Sequence, residues 1–257
     1  MRLEALIFDV DGTLADTERD GHRVAFNQAF TAAGLDWHWD VGLYGELLSI
    51  TGGKERMCHY LAQYRPDDAI RKRKDFDALI TQLHATKTDF YTQLLQTGQI
   101  PLRPGVRRLI NEARTARVRL AIATTTTPAN VYALLQSTLG TEAISWFEVI
   151  AAGDIVPAKK PAPDIYRYTL ERMRLAPEEC LVFEDSDNGL RAARGAGLSA
   201  IITINDYTQF QNFDDALLVL DHLGDEGIPA TILSAKASRG EIRQVDLACL
   251  RRLHSLI

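Results

Sequence analysis

Leu3-Glu4-Ala5-Leu6-Ile7-Phe8-Asp9-Val10-Asp11-Gly12-Thr13-Leu14 is the stretch whose reading decides the fold. The apolar run from Leu3 to Phe8, interrupted by one charge, reads as a strand buried on both faces, as in a parallel sheet. It stops at a carboxylate, a second carboxylate follows two residues on, and Gly12 and Thr13 come next. Open α/β sheets bind ligands outside the carboxyl ends of their strands. Asp9 and Asp11 therefore stand where such folds do chemistry. Carboxylates this close repel, and both stay ionised only beside a cation or a fixed positive group. Oxygen donors favour a hard metal, Mg²⁺ first among them. Gly12 permits a backbone conformation closed to other residues. Taken alone, Asp-x-Asp-Gly is equally well a polar turn. A calcium loop is excluded: Leu14 and Asp20 fall where such a loop needs glycine and glutamate, and a strand precedes where it needs a helix.

The 257 residues suffice for one large α/β domain and a smaller one, with 46% apolar and 25% charged residues as in an ordinary globular protein. A net charge of −5 argues against nucleic acid or an anionic membrane as partner, so an anionic substrate needs a local positive site. Cys58, Cys180 and Cys249 are odd in number and form no C-x-x-C, which fits a reducing cytoplasm and no structural zinc. The chain enters its first strand at once, so no signal or transit peptide is expected. No apolar stretch reaches membrane-spanning length.

Beyond Asp11 the pattern turns helical: Thr17 to Gly34, then an aromatic stretch from Trp37 to Ile50, a helix from Lys54 to Tyr64, and one or two more from Pro66 to Leu95. Strand signals resume near Val118, so the 109 residues from 9 to 117 separate the first two strands where a crossover needs about a dozen. The surplus reads as a helical insertion. The expected domains are a core of residues 1–15 and 99–225, the insertion 16–98, and a C-terminal tail 226–257 with one helix near Ile242 to Leu253. From Pro104 on, helices and strands alternate as in a parallel sheet. The strands are Val118 to Thr124, Phe147 to Ala151, Cys180 to Phe183 and Ser199 to Thr203, with Ala216 to Leu220 as a short edge strand.

Each strand end carries a compatible group. Thr124-Thr125-Thr126 offers a hydroxyl and free amides to phosphate oxygens. In Lys159-Lys160-Pro161-Ala162-Pro163 two adjacent lysines cannot point the same way, and the one held by Pro161 is the better candidate. Glu184-Asp185-Ser186-Asp187-Asn188 ends a strand sharply. If that strand lies beside the first, Asp185 completes a metal site with Asp9, Glu184 reaches it through water, and Ser186 or Asp187 caps the next helix. Each feature alone has an ordinary structural explanation; their joint order is what chance does not supply. His38, His59, His84, His222 and His254 show no ligand spacing.

This ordered set resembles the haloacid dehalogenase superfamily in its phosphatase branch, from Leu3 to about Thr203. The resemblance implies an α/β class, with a Rossmann-like parallel sheet core and a helical cap domain inserted after the first strand. It implies Asp9 as nucleophile and Asp11, protonated at the start, as general acid/base. Thr124 and Lys160 would hold the phosphoryl group, and Mg²⁺ would be held by Asp9, Asp11, Glu184 and Asp185. Trp37-His38-Trp39-Asp40, Tyr44, Glu46-Leu47-Leu48, Thr51-Gly52-Gly53-Lys54-Glu55-Arg56, the stretch Ala123 to Thr126, and Ala151-Ala152-Gly153-Asp154 resemble the CbbY-type phosphatases. Those remove phosphate from xylulose-1,5-bisphosphate, an inhibitor of Rubisco. By that likeness Glu18, His22, Tyr44, Gly52, Gly53, Lys54, Arg56, Thr125, Thr126 and Asn188 face the sugar bisphosphate, with Lys54 and Arg56 at its distal phosphate. A cytoplasmic monomer acting on a small molecule is expected. The rivals are a phosphosugar mutase of the same superfamily and a silent sugar-phosphate sensor; a dehalogenase lacks the second aspartate that Asp11 supplies.

Overall fold

The computed structural model describes residues 2–236 and 242–257. Of the expected core and tail, residues 1 and 237–241 lie outside the described residues. Strand β1 (Ala5–Phe8) is wholly buried and runs parallel between β2 (Arg119–Thr124) and β4 (Cys180–Glu184). The register sets Phe8 opposite both Ile122 and Phe183, so the next residues, Asp9, Ala123 and Glu184, emerge together at the carboxyl edge. With β3 (Val149–Ala152), β5 (Ser199–Thr203), β6 (Leu218–Leu220) and β7 (Ile232–Ala235) the sheet has the order β3-β2-β1-β4-β5-β6-β7.

Two findings depart from the sequence reading at this edge. β6 is not the edge strand, because β7 pairs antiparallel beyond it. The expected tail thus contributes a strand as well as helix α9 (Leu247–His254), whose Leu247, Leu250 and Leu253 are buried in the main core. β7 escaped notice because it is half-exposed, pairs on one side only and shifts register against β6, so its four residues lack a clear alternation.

Between β1 and β2 lie a π-helical turn (Glu18–His22), α1 (Arg23–Ala32), α2 (Val41–Leu47), α3 (Gly53–Gln63) and α4 (Phe76–Gln96). Asp40 caps α2 by accepting from the Leu43 amide at 2.8 Å, which explains a helix inside the aromatic stretch. Phe26, Phe30, Trp37, Trp39 and Tyr60 fill a separate apolar cluster among these helices and the loop after α1, and Tyr207 from the loop after β5 packs against it. Tyr91 and Leu95, at the end of α4, instead join the core under the sheet. The sheet is covered by α5 (Val106–Thr115), α6 (Pro128–Leu139), α7 (Asp164–Met173) and α8 (Asp187–Gly195). Ser186 caps α8 by accepting from the Gly189 amide at 3.2 Å. No helix among the described residues is long and apolar enough to cross a membrane.

Candidate active site

A cavity of about 440 Å³ opens over the carboxyl edge, between the sheet and the inserted helices. Lys160 is its pivot. Nearly buried, it donates to Asp9 Oδ1 at 2.6 Å, to the Ala123 carbonyl at 2.9 Å and to Glu184 Oε1 at 2.5 Å. The Tyr166 hydroxyl, from α7, also donates to Glu184 Oε1. Glu184 fits because its neighbour is glycine: a Cβ at Gly189 would lie 1.9 Å from Oε2. Lys159, its partner in the Lys-Lys pair, turns away to Glu55 and Asp154.

One oxygen from each of Asp9, Glu184 and Asp185 lies within 4.8 Å of the others, and all three residues are buried. Three carboxylates against one ammonium leave negative charge uncompensated. Burial pushes Asp9 up to about 7 against the pull of Lys160, and burial together with Asp9 and Glu184 holds Asp185 well above the usual carboxylate range. A buried cluster of oxygen donors with surplus negative charge fits a hard divalent cation. Asp11, the fourth residue of the expected metal set, lies outside this cluster of carboxylate oxygens. Its Oδ1 instead accepts from Thr17 Oγ1 at 2.5 Å and from His22 Nε2 at 2.8 Å.

Behind His22 stands Lys87 on α4, buried, its Nζ 2.6 Å from His22 Nδ1 and over the rings of Phe26 and Tyr91. An ammonium has no lone pair, so Nδ1 is the acceptor and Nε2 carries the hydrogen that points at Asp11. Burial would raise Asp11, but His22, Thr17 and Lys87 outweigh it and hold the carboxyl down to about 2. Two donors, Thr17 and His22, converge on Asp11 with Lys87 behind His22, and this arrangement favours its ionised form, where the resemblance implied a protonated start. Burial also brings Lys87 down to about 8, against the pull of Asp11 and Glu18. Its ammonium is complete well below that pH and disappears as pH rises through it. Turnover should accordingly fall above pH about 8. In a pH–rate profile, Lys87→Met should run about tenfold slower and lose that alkaline limb; an unchanged limb would place it elsewhere.

The cavity is lined on the sheet side by Asp9, Asp11, Thr124, Thr125, Glu184 and Asp185, and on the inserted side by Glu18 and Arg56. Asn188 also lines it, its amide donating to the Ser49 carbonyl. Tyr44 lies just behind, donating to Glu18 Oε2 at 2.5 Å and accepting from Arg56 at 2.9 Å. Thr126 stands off the cavity, receiving the Asn130 amide. Gly52 and Gly53 do not approach it either. A Cβ on Gly52 would meet Glu55 and Lys159, and one on Gly53 would meet His84 and Phe26, so Gly52 leaves room for the Glu55–Lys159 ion pair and Gly53 for the packing of α3 against α1 and α4. Lys54 leaves the cavity for Asp154, 2.6 Å away. Side chains two apart on a helix do not share a face, so Lys54 and Arg56 at the start of α3 could not both turn inward.

Sequence reasoning missed Lys87, Tyr166, Thr17 and Asn205, whose amide donates to Asp185 Oδ2 at 2.7 Å. It also missed Tyr207 and Gln211, which line the cavity from the loop after β5. Only tertiary contact recruits them, and no local pattern marks them.

A family model described as haloacid dehalogenase-like hydrolase matches residues 3–197. The chain belongs to that family of hydrolases. Within it the chain is an HAD-type phosphoric monoester hydrolase of the CbbY type. It is 48% identical over 254 residues to the plasmid-encoded Protein CbbY of Cupriavidus necator, covering 98% of this chain and 97% of that one. The crystal structure of CbbY from Rhodobacter sphaeroides in complex with phosphate matches with a TM-score of 0.79 at 48% identity, covering 86% and 94% of the two chains. A mutant of that CbbY in complex with xylulose-(1,5)bisphosphate matches with a TM-score of 0.80 at 46% identity, covering 88% and 98%.

Proposed function

We propose that the chain is a Mg²⁺-dependent phosphatase that hydrolyses a sugar bisphosphate, xylulose-1,5-bisphosphate first among them, through a phosphoryl group carried on Asp9. The observation that carries this reading is the Lys160 bridge between Asp9 and Glu184, with the Asp11 carboxylate two residues from the nucleophile. Similarity to a protein crystallised with xylulose-(1,5)bisphosphate supports the substrate class. So does the charge pattern: among the described residues the cations lining the cavity are Lys160, from the sheet side, and Arg56, from the inserted helices. Two phosphates at opposite ends of a sugar suit that division.

In this reading a carboxylate oxygen of Asp9 attacks phosphorus, the ester P–O bond breaks, and Asp11 protonates the departing oxygen. The proton reaches Asp11 from His22 Nε2, while Lys87 resupplies Nδ1. Water then gives its proton to Asp11 as it attacks phosphorus, which frees phosphate and restores Asp9, and that proton returns from Asp11 through His22 to Lys87. Lys160 and Thr124 stabilise the phosphoryl oxygens throughout. Asp9 and Asp185, with Glu184 through water or its second oxygen, would hold Mg²⁺, which when bound adds charge neutralisation at those oxygens. The inserted helices act as a cap that excludes water and selects the sugar. Removal of a Rubisco inhibitor in the cytoplasm completes the reading.

Phosphate release across a panel of sugar mono- and bisphosphates tests it. Release from xylulose-1,5-bisphosphate should dominate and should stop in excess chelator; isomerised sugar phosphate without free phosphate would mean a mutase, and inertness toward every member would refute the reading. Arg56→Ala should raise KM about tenfold or more for a bisphosphate and far less for a monophosphate, as loss of a charged hydrogen-bond donor implies. Lys54→Ala should leave both nearly unchanged, and equal effects of the two substitutions would contradict the placement of Lys54 outside the cavity.

A further inference from the structure

Arg103 lies outside every motif, yet it is 8% exposed and sits directly beneath the catalytic turn. One terminal nitrogen donates to the Gly12 carbonyl and, at 3.1 Å, to that of Thr203. The other donates to the carbonyls of Ile204 at 2.5 Å and Asp221 at 2.6 Å. Its Nε faces Asp16 at 3.5 Å, and its backbone N–H donates to the Leu14 carbonyl at 2.9 Å. Ala15 forms an antiparallel bridge with the adjoining Leu102, so the two chain segments joining the inserted helices to the sheet meet at this residue.

The carbonyls it gathers flank the cation site. Gly12 has φ +85°, and a Cβ there would lie 2.2 Å from Asp185 Oδ2 and 2.6 Å from the Asn205 amide nitrogen. Asn205 follows Ile204 in the chain and holds the same Asp185 oxygen. Asp185 is thus gripped between the Gly12 turn and the loop after β5, and Arg103 fixes the carbonyls of both walls. A planar guanidinium with a rigid fork of donors can span four acceptors from separate segments; a lysine ammonium is a single point with donors in other directions.

We propose that Arg103 is a positioning residue for the cation site, clamping the Gly12 turn and the loop after β5 so that Asp185 and Asp9 converge on one divalent ion. This rests on the functional reading above for its catalytic consequence, but not for its metal consequence. The test compares the parent protein with Arg103→Lys and Arg103→Gln, reading the Mg²⁺-induced rise in Tm on the full chain without substrate, then kcat and KM for sugar phosphates. The half-saturating Mg²⁺ concentration should rise about tenfold and kcat should fall between about ten- and a hundredfold, as small displacements of reacting groups do. KM should stay within about twofold, because Arg103 touches no substrate. A parental Mg²⁺ response in a folded variant overturns the proposal, whatever its turnover. Failure of even Arg103→Lys to fold also overturns it, since the residue would then be structural. Should the parent release no phosphate from any sugar phosphate, the functional reading fails, while the Mg²⁺ titrations still decide the role of Arg103.

Discussion

Asp9→Asn should reduce phosphate release by at least about 10⁴-fold, because the amide removes the attacking oxygen and loss of a nucleophile is among the largest single effects in enzymes. Structure should survive. Lys160 keeps the Ala123 carbonyl and Glu184 Oε1, and the amide oxygen of asparagine can still accept from it. Removing one of three clustered negative charges also relieves repulsion, so Tm without metal should hold or rise. Sugar phosphate binding, measured by calorimetry, should persist. Turnover near that of the parent would remove Asp9 as nucleophile; loss of turnover together with loss of fold would remove the evidence for it.

Lys160→Met should do two kinds of damage at once. Catalysis loses the cation beside the phosphoryl group, a fall of about 10²- to 10³-fold. Stability loses the partner that Asp9 and Glu184 share inside a buried site, a cost of about 3–5 kcal/mol for breaking a buried ion pair from one side. The combination is diagnostic, since Asp9→Asn removes activity without that stability loss. Denaturant unfolding checks it: a variant as stable as the parent would mean that water or an ion, not Lys160, compensates these carboxylates.

The sheet was largely legible in the sequence because its central strands are buried on both faces and read as unbroken apolar runs, each ended by a polar residue. The strand ends then followed directly: Asp9, Thr124 and Glu184 stop three such runs, and parallel pairing of β1 with β2 and β4 brings them together. The choice of Lys160 over Lys159 was equally readable, because two neighbours cannot point one way and Pro161 holds the second of them. Legibility ended where partners come from far along the chain. Lys87 reaches His22 across 65 residues and Arg103 reaches Gly12 across 91, and both look in sequence like ordinary helix and loop residues. The placement of Lys54 was hidden for a different reason. Its closeness to Arg56 in sequence suggested a shared target, whereas helical geometry separates them and sends Lys54 to Asp154. The groups that bear on the Asp11 charge were not legible either, because Thr17 and His22, with Lys87 behind His22, meet it only in the folded chain.

The central claim is that Asp9 itself receives the phosphoryl group, and acid quench of the enzyme within a single turnover of xylulose-1,5-bisphosphate tests it most directly. Peptide mass spectrometry should find one added phosphoryl mass on the peptide bearing Asp9, sensitive to hydroxylamine as an acyl phosphate is, and absent from Asp9→Asn. Phosphate released at full rate with Asp9 never labelled, or a label on another residue, would contradict the account.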